Sequence, residues 1–534
     1  MIKPLKIKDP IFGYIPIVDT DLYSVINSAM FHRLQDVVQT SYQSVYPSAT
    51  HNRFTHSLGV YFLGSIAVEK LSQDVLNQKL LEKESLERIR KAFILACLMH
   101  DIGHSPFSHT GEKFYFQYSD ESSKIPDIWK KLLLELDDDD FVNDSDGNNK
   151  TKGAEHEIMS AYVALLNFKF IFRHLDKSFF VRCITGLKYS NKNDVRNCFI
   201  ELLNSKTIDV DKLDYLIRDS FVTGFKSITI DYERLLRAIC VIKDDKCISL
   251  GFEKSALSTL ENVVLAHDME RKWIQNHPVI KYECYLVSYM IAKAQSYYEK
   301  NGINLFSEKA LSEKGLGRGM KKICLLSDSD IRSFVKKFYF DDKIIKEYFF
   351  RGARRKPLWK SESEYRILFE QRGVGESILA ELEKRINALE DLLVSKFDIP
   401  IINQTSLDYL KTQLPDTTLP EEIRIGITAE LKKSIDLLSF LKDFSNKNKL
   451  PFEYVVVSAK QFATGFNKDE FKSIRVRFGN ECVKSLNDVL YLFTAKKPRE
   501  NFFYLFVNSS VKSKINVRNL TFDMAKFILE DFNR

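Results

Sequence analysis

Long apolar runs are missing from this 534-residue chain. It has no stretch of about 18 uncharged apolar residues, which argues against a membrane-spanning helix. Met1 to Pro10 lack the apolar core of a secretion signal. Cysteine is sparse and scattered: Cys97, Cys183, Cys198, Cys240, Cys247, Cys284, Cys324 and Cys482 form no CxxC pair. Neither a thiolate zinc site nor a disulfide framework is therefore expected, and a reducing cytoplasm suits the chain. A strong charge of one sign is missing too. The net charge of +7 is mild for this length and does not by itself require nucleic acid as partner. Internal repeats are absent. What remains is ordinary globular material, 44% hydrophobic and 28% charged, long enough for two or three domains. The 40 Phe and 23 Tyr are read as core filling.

Residues 1 to about 300 read as mostly helical, with apolar residues at three- and four-residue spacing in Ser57–Leu71, Leu86–His100 and Ile158–Leu166. Inside this region, Asp137–Gly153 is acidic and polar and is read as a mobile loop. Residues 301–450 form a further helical region with amphipathic runs at Glu376–Lys396 and Leu419–Phe444. From Pro451 the pattern changes: Tyr454–Val457, Ile474–Phe478 and Asn501–Val507 read as short strands of a small α+β C-terminal lobe, residues 451–534. The fold class expected is mainly α.

Histidine is also scarce, with ten residues, yet six of them fall in three short segments. These are His51-Asn-Arg53-Phe-Thr-His56-Ser-Leu-Gly59, His100-Asp101-Ile-Gly103-His104-Ser-Pro106-Phe-Ser-His109 and Glu155-His156-Glu157. A fourth segment, Asp209-Val-Asp211-Lys212-Leu-Asp214-Tyr215, adds acids. Imidazole nitrogen with carboxylate oxygen suits Zn, Mn, Fe, Ni or Mg. An adjacent His-Asp at a helix end can give two ligands to one ion if the helix loosens, and Gly103 and Pro106 are expected to loosen it. His100 and His104, four apart, would share a helix face, one on the metal and the other toward substrate. A single histidine on an amphipathic helix is ordinarily structural. The informative pattern is an upstream His, the His-Asp pair and a downstream Asp together.

The His51–Gly59, His100–His109 and Asp209–Asp219 blocks resemble the HD-domain deoxynucleoside triphosphate triphosphohydrolases, over roughly residues 7–290. The resemblance implies an HD helical core over 1–300, with no sterile-alpha-motif domain before it. It implies one divalent metal (Mn, Mg, Fe, Zn or Co) on His56, His100, Asp101 and Asp211. It puts His156 beside the scissile bond, His104 and His109 at the phosphates, and Glu112 holding one of them. A histidine pKa of about 6.5 suits acid catalysis at about pH 7, so His156 is read as the acid, with His104 as the second candidate. Arg53 and Lys212 would grip phosphate, Gln39 and Asp219 the sugar 3′-hydroxyl, and Tyr215 would pack beneath the sugar. The substrate would be a dNTP and the products deoxynucleoside and triphosphate, in a homo-oligomer (dimer or tetramer). Asp214, four before Arg218, is expected to make a structural ion pair rather than bind metal.

Departures from the family pattern sit at its nucleotide-effector site. Asn27 and Gln35 replace an acid and an arginine used for guanine recognition, Leu5 and Lys6 stand where lysine and valine are usual, and Thr40 replaces a leucine beside the base. Arg234, Lys356 and Lys360 match basic positions, so a nucleotide effector is kept as a candidate ligand. The basic run Arg351–Lys356 is open to nucleic acid, to an effector phosphate or to solvent alone. Two other functions fit the motifs: an HD phosphodiesterase or nuclease acting on cyclic nucleotides or single strands, and a binding regulator with vestigial hydrolysis.

Overall fold

In this computed structural model the described residues are 5–116, 126–145, 153–225, 229–370, 375–396, 400–413, 421–460, 473–479, 482–489 and 501–532. They are mainly helical, as the periodicity predicts, with three small sheets. In chain order the strands are β1 (Leu5–Asp9), β2 (Gly13–Ile17), β3 (Ile239–Lys243), β4 (Ile248–Glu253), β5 (Lys356–Pro357), β6 (Val455–Lys460), β7 (Arg475–Phe478), β8 (Cys482–Ser485) and β9 (Asn501–Val507). The chain divides into two compact units, each assembled from distant segments. Met1–Glu270, Ala294–Ser333 and Thr464–Ala495 make the first; Arg271–Lys293, Phe334–Ala463 and Lys496–Arg534 make the second. The division read from composition, with borders near 300 and 450, is sequential instead.

The first unit is built around two long helices, Arg53–Asn77 and Lys83–Met99. Leu58, Leu63, Ala67 and Leu71 of the one and Ala92, Phe93, Ala96 and Cys97 of the other are almost wholly buried. Each large apolar side chain taken out of water in this way contributes about 1.5–3 kcal/mol. The helices Glu155–Asn167, Lys177–Thr185 and Val210–Thr223 complete the bundle. β1 and β2 form a hairpin whose turn is held by the Asp9 carboxylate, which accepts the Ile11 and Phe12 amides at 2.8 and 3.0 Å. A second sheet runs β3-β4-β7-β8, with β7 parallel to β4. The strand expected at Ile474–Phe478 thus extends the β3–β4 hairpin.

Part of the segment expected to be a mobile loop is ordered. Asp139–Asp144 is a helix, capped by Asp138, which accepts the Phe141 amide at 3.0 Å. The reason is Phe141: it is fully buried, 5.9 Å from the Trp129 ring and 5.1 Å from the Arg182 guanidinium. Local polarity hides this one anchoring aromatic. Residues 146–152 of that expected loop lie outside the described residues.

In the second unit β9 is the central strand of the order β5-β9-β6. Trp359 is buried with Phe503 and Tyr365 at ring distances of 5.3 and 5.8 Å, and its indole N–H donates to the Phe503 carbonyl at 2.6 Å.

Candidate active site

Four helix ends bring the motif residues together, and each end has a local cause. Asn52 caps the Arg53–Asn77 helix by accepting the Thr55 amide at 3.0 Å, which puts Arg53 and His56 in the first turn. The Lys83–Met99 helix stops just before His100 and Asp101. The Glu157 side chain returns to the Ala154 amide at 2.6 Å and fixes the start of the helix carrying His156. Asp209 accepts the Lys212 amide at 2.7 Å and caps the helix that carries Asp211, Asp214, Tyr215 and Asp219. These are the acceptors that a helix N-terminus needs for its unpaired N–H groups.

His56, His100, Asp101 and Asp211 converge. His56 Nε2 lies 3.3 Å from His100 Nε2, 3.0 Å from Asp211 Oδ1 and 3.6 Å from Asp101 Oδ2. His100 Nε2 is 3.5 Å from Asp101 Oδ1 and 3.8 Å from Asp211 Oδ1. The opposite ring nitrogens are engaged: His56 Nδ1 faces Asp214 Oδ2 at 2.7 Å, and His100 Nδ1 faces the Cys97 carbonyl at 2.9 Å. A neutral imidazole donating from Nδ1 presents a lone pair at Nε2. Two such lone pairs and two carboxylates around one point repel unless a cation stands among them. Ligands about 2.1 Å from a shared ion are separated by about 3.0–3.5 Å, so His56, His100 and Asp101 form a group that could hold a divalent metal, with Asp211 alongside the two imidazoles.

Asp214 does more than pair with Arg218. Arg218 grips both its oxygens at 2.9 Å and also reaches Asp9 at 2.9 Å, so a buried Asp9–Arg218–Asp214 chain ends on His56. Gly59 makes room for it, since a Cβ there would sit 1.8 Å from Asp214 Oδ1. Burial pulls the His56 imidazolium down, but Asp211 and Asp214 outweigh it and raise the pKa to about 9. Proton and metal therefore compete for the same Nε2. Burial would raise Asp101, yet Arg53 beside it and the neighbouring imidazoles hold it well below the usual carboxylate range.

A second cluster, His104, His109, Glu112 and His156, adjoins the first. Glu112 Oε1 is its hub, 2.7 Å from His109 Nδ1, 3.1 Å from His156 Nδ1 and 3.5 Å from His104 Nε2. The His104 and His156 rings stack at 4.4 Å, and His104 Nε2 is 3.6 Å from Asp101 Oδ1, which links the two clusters. Burial, with Arg53 and the other imidazoles nearby, pushes the His104 pKa far down, so it is neutral. Burial also disfavours the His156 cation, but Glu112 overcomes this and lifts it to about 9. One stacked ring is thus neutral and its neighbour charged.

Arg53 spans both clusters. It donates to Asp101 Oδ2 at 2.7 Å and to Ser108 Oγ at 2.8 Å, and a guanidinium nitrogen lies 3.2 Å from His109 Nε2. The Lys212 ammonium is turned to Asp209 at 2.6 Å and to the Ser205 carbonyl at 2.7 Å. Gln39 is buried, and its backbone N–H donates to the His51 carbonyl at 3.1 Å. Asp219, also buried, has His51 Nε2 at 2.7 Å. Tyr215 is half-buried, one turn after Asp211 on the same helix.

Two sequence expectations about the loop after the Lys83–Met99 helix are corrected. His100 and His104 do not share a helical face, because the helix ends at Met99. Nor does Gly103 supply unusual dihedrals. It is present because a Cβ would meet the Ser160 amide nitrogen at 2.4 Å. The left-handed residues are Phe107 (φ 57°) and Ser108 (φ 53°). Of the basic candidates, Arg234 is exposed and donates to the Ser255 carbonyl at 2.8 Å, while Lys356 and Lys360 are exposed. Arg354 and Arg355 are instead buried in ion pairs with Glu283, Glu347 and Glu453. Two of the four basic side chains of the Arg351–Lys356 run are thus committed to the protein's own carboxylates.

The motif reading missed Asp9, Arg33 and Asp328, which reach the site from distant segments, and it gave no role to His51, which pairs with Asp219. Asp214 was placed by its i+4 spacing to Arg218, but nothing in the sequence marks its bond to His56.

The HD domain family matches residues 53–166. The chain is 26% identical over 393 residues to an uncharacterized protein of Methanocaldococcus jannaschii, covering 73% of this chain and 66% of that one. It is 30% identical over 243 residues to the deoxynucleoside triphosphate triphosphohydrolase SAMHD1 homolog of Dictyostelium discoideum, covering 45% of this chain and 40% of the relative. It thus spans from two fifths to about two thirds of these relatives' lengths. A solved phosphohydrolase of Bacteroides thetaiotaomicron shares the fold, with a TM-score of 0.57, 18% identity, and 95% of this chain and 100% of that one covered. No helix among the described residues is long and apolar enough to cross a membrane.

Proposed function

We propose that this chain, whose residues 53–166 match the HD domain family, is a metal-dependent phosphohydrolase that cleaves deoxynucleoside triphosphates to deoxynucleoside and triphosphate. The observation that carries the reading is the juxtaposition of two clusters, one suited to a cation and one able to hold a proton, which share Asp101. A divalent cation on His56, His100, Asp101 and Asp211 would supply Lewis acidity at phosphoryl oxygens and ready ionisation of water.

The chain's own groups do the rest. Asp214 and the Cys97 carbonyl fix both imidazoles with Nε2 inward. Arg53, anchored by Asp101 and Ser108, places a permanent positive charge where phosphate charge develops. His156, kept protonated by Glu112, can deliver a proton to the departing 5′-oxygen. Neutral His104, stacked on it, adds no competing charge. Asp211, Tyr215 and Asp219 lie four residues apart along one helix, a row along which a nucleoside could extend away from the metal ligands.

The test is product identification. Purified protein is incubated with Mn, Mg or Co and, separately, with each dNTP, each NTP and a short single-stranded oligonucleotide. Release of triphosphate from dNTPs is the expected result. Nucleoside monophosphates from the oligonucleotide, with no triphosphate release, would replace this reading with that of a nuclease.

A further inference from the structure

Residues 100–109 place five site groups, His100, Asp101, His104, Ser108 and His109, within one irregular turn. That turn holds two consecutive non-glycine residues at positive φ, Phe107 and Ser108, the latter with ψ −133°. Such conformations cost about 1–3 kcal/mol each and persist only where the surroundings over-determine them. The restraint comes from a segment 220 residues away. Asp328, fully buried at the start of the Asp328–Phe338 helix, accepts the Phe107 amide on Oδ1 at 2.6 Å. On Oδ2 it accepts the Val38 amide at 3.2 Å. Ser108 Oγ donates back to the Val38 carbonyl.

These bonds close a ring: Asp328, Phe107, Ser108, Val38 and Asp328 again. One arm leaves it, from Ser108 Oγ to Arg53 Nε at 2.8 Å, and Arg53 continues to Asp101. Neighbouring groups brace the same ring. Arg33 donates to the Ile102 and His104 carbonyls, both at 2.9 Å, and to the Leu326 carbonyl at 2.8 Å. The Arg332 guanidinium lies 4.9 Å from the Phe107 ring centroid and 3.3 Å from Asp328 Oδ2. Asp36 accepts the Ser327 hydroxyl at 2.7 Å.

We propose that Asp328 is a positioning residue for hydrolysis: by tying Phe107 to Val38 it sets Ser108, and through Ser108 the guanidinium of Arg53 and the adjacent His109. A buried carboxylate is disfavoured unless it is well partnered, and here both oxygens are used on backbone amides either side of the Arg53 arm. An apolar residue of similar size would fill the space without aligning the turn. Asp328 and Val38 lie outside the matched residues 53–166, so the HD motif does not specify the clamp on Phe107 and Ser108. The kinetic half of the test rests on the hydrolase reading; the exchange half does not.

The test compares wild type, Asp328→Asn, Ser108→Ala and the double variant, all as full chains loaded with Mn. In amide hydrogen exchange, Asp328→Asn should raise exchange at residues 36–39 and 104–110 together and leave the Val210–Thr223 helix unchanged. Change at one segment alone, or across the whole unit, would overturn the ring. In dNTP hydrolysis each single variant should lower kcat by about 10–100-fold, as small misplacements of catalytic groups do, with KM moved far less. The double variant should fall no further than the worse single, because both act through one ring. A multiplicative loss, or a loss in KM alone, would reduce Asp328 to a structural role. Should Asp328→Asn fail to fold, Ser108→Ala must still raise exchange at both segments and lower kcat, and failure to do so would equally overturn the proposal. If wild type hydrolyses no nucleotide the hydrolase reading falls, and exchange alone decides the ring.

Discussion

Replacing Asp214 with asparagine isolates what orients the imidazole of His56. The carboxylate holds three charge-assisted bonds, two from Arg218 at 2.9 Å and one at His56 Nδ1 at 2.7 Å. Asparagine has nearly the same shape but only one acceptor oxygen, so its NH2 must face either Arg218 or His56. At least one bond becomes a donor–donor contact, each bond to a charged group being worth about 1.5–3 kcal/mol. Arg218 stays buried with Asp9 alone. Removing one partner of a buried ion pair costs about 3–5 kcal/mol, and the retained Asp9 places this variant toward the lower end. The effect on metal is separable: loss of a carboxylate behind a ligating histidine weakens affinity by about 10–100-fold. Urea unfolding of metal-free protein gives the first quantity and calorimetric Mn titration of folded protein the second. His100 is an internal control, because its Nδ1 partner is the Cys97 backbone carbonyl, which Cys97→Ala leaves in place. Folded Asp214→Asn that binds Mn as tightly as wild type, or Cys97→Ala that loses as much affinity, would refute the reasoning.

A pH prediction concerns His156. Its folded-state pKa is raised from 6.5 to about 9, so the stabilisation is complete below pH 6.5 and is lost as pH rises through about 9. His156→Gln should flatten that part of the stability curve and abolish the alkaline limb of the rate profile, read by thermal melts and initial rates from pH 6 to 10. An unchanged alkaline limb would remove His156 as the acid. Gly59→Ala puts a Cβ 1.8 Å from Asp214 Oδ1 and 2.5 Å from an Arg218 nitrogen. It should destabilise by about 3 kcal/mol or more, whereas alanine for glycine in an open helix stabilises by about 1 kcal/mol. Denaturant melts decide the sign.

How far the sequence carried the reading varies from residue to residue. The long helices were legible because their apolar spacing spans several turns, and Arg53–Asn77 contains the predicted Ser57–Leu71. β9 was legible as a continuous apolar run. The β1–β2 hairpin went unread although Leu5–Lys8 alternates apolar and charged residues as a half-buried strand does, because the run is only five residues long. At the site, motif residues could be named because their chemistry is unusual at that spacing. Their partners could not: Asp9, Cys97, Arg33 and Asp328 are ordinary residues that matter only through contacts across the fold. The basic run shows the converse. Arg354 and Arg355 look like an anion site in one dimension, and three distant carboxylates consume them in three.

The loop after Met99 shows why a strained segment is the economical solution here. Were the helix to continue, His100 and His104 would lie about 6 Å apart on one face, with Asp101 rotated by about 100° to the side. They could then serve one cluster but not two. Ending the helix at Met99 lets His100 and Asp101 face Asp211 while His104 and His109 turn to Glu112 and His156. The reversal has to occur within eight residues, and Gly103 is already used for close approach to Ser160. The positive dihedrals therefore fall on Phe107 and Ser108, whose side chains are needed, one buried and the other bonded to Arg53. Strain of about 1–3 kcal/mol at each is tolerable because Arg33 and Asp328 supply five bonds to the surrounding backbone. Glycine at Phe107 would relieve strain but lose the ring under Arg332 and loosen the turn. Phe107→Gly is thus the substitution that separates local comfort from site geometry.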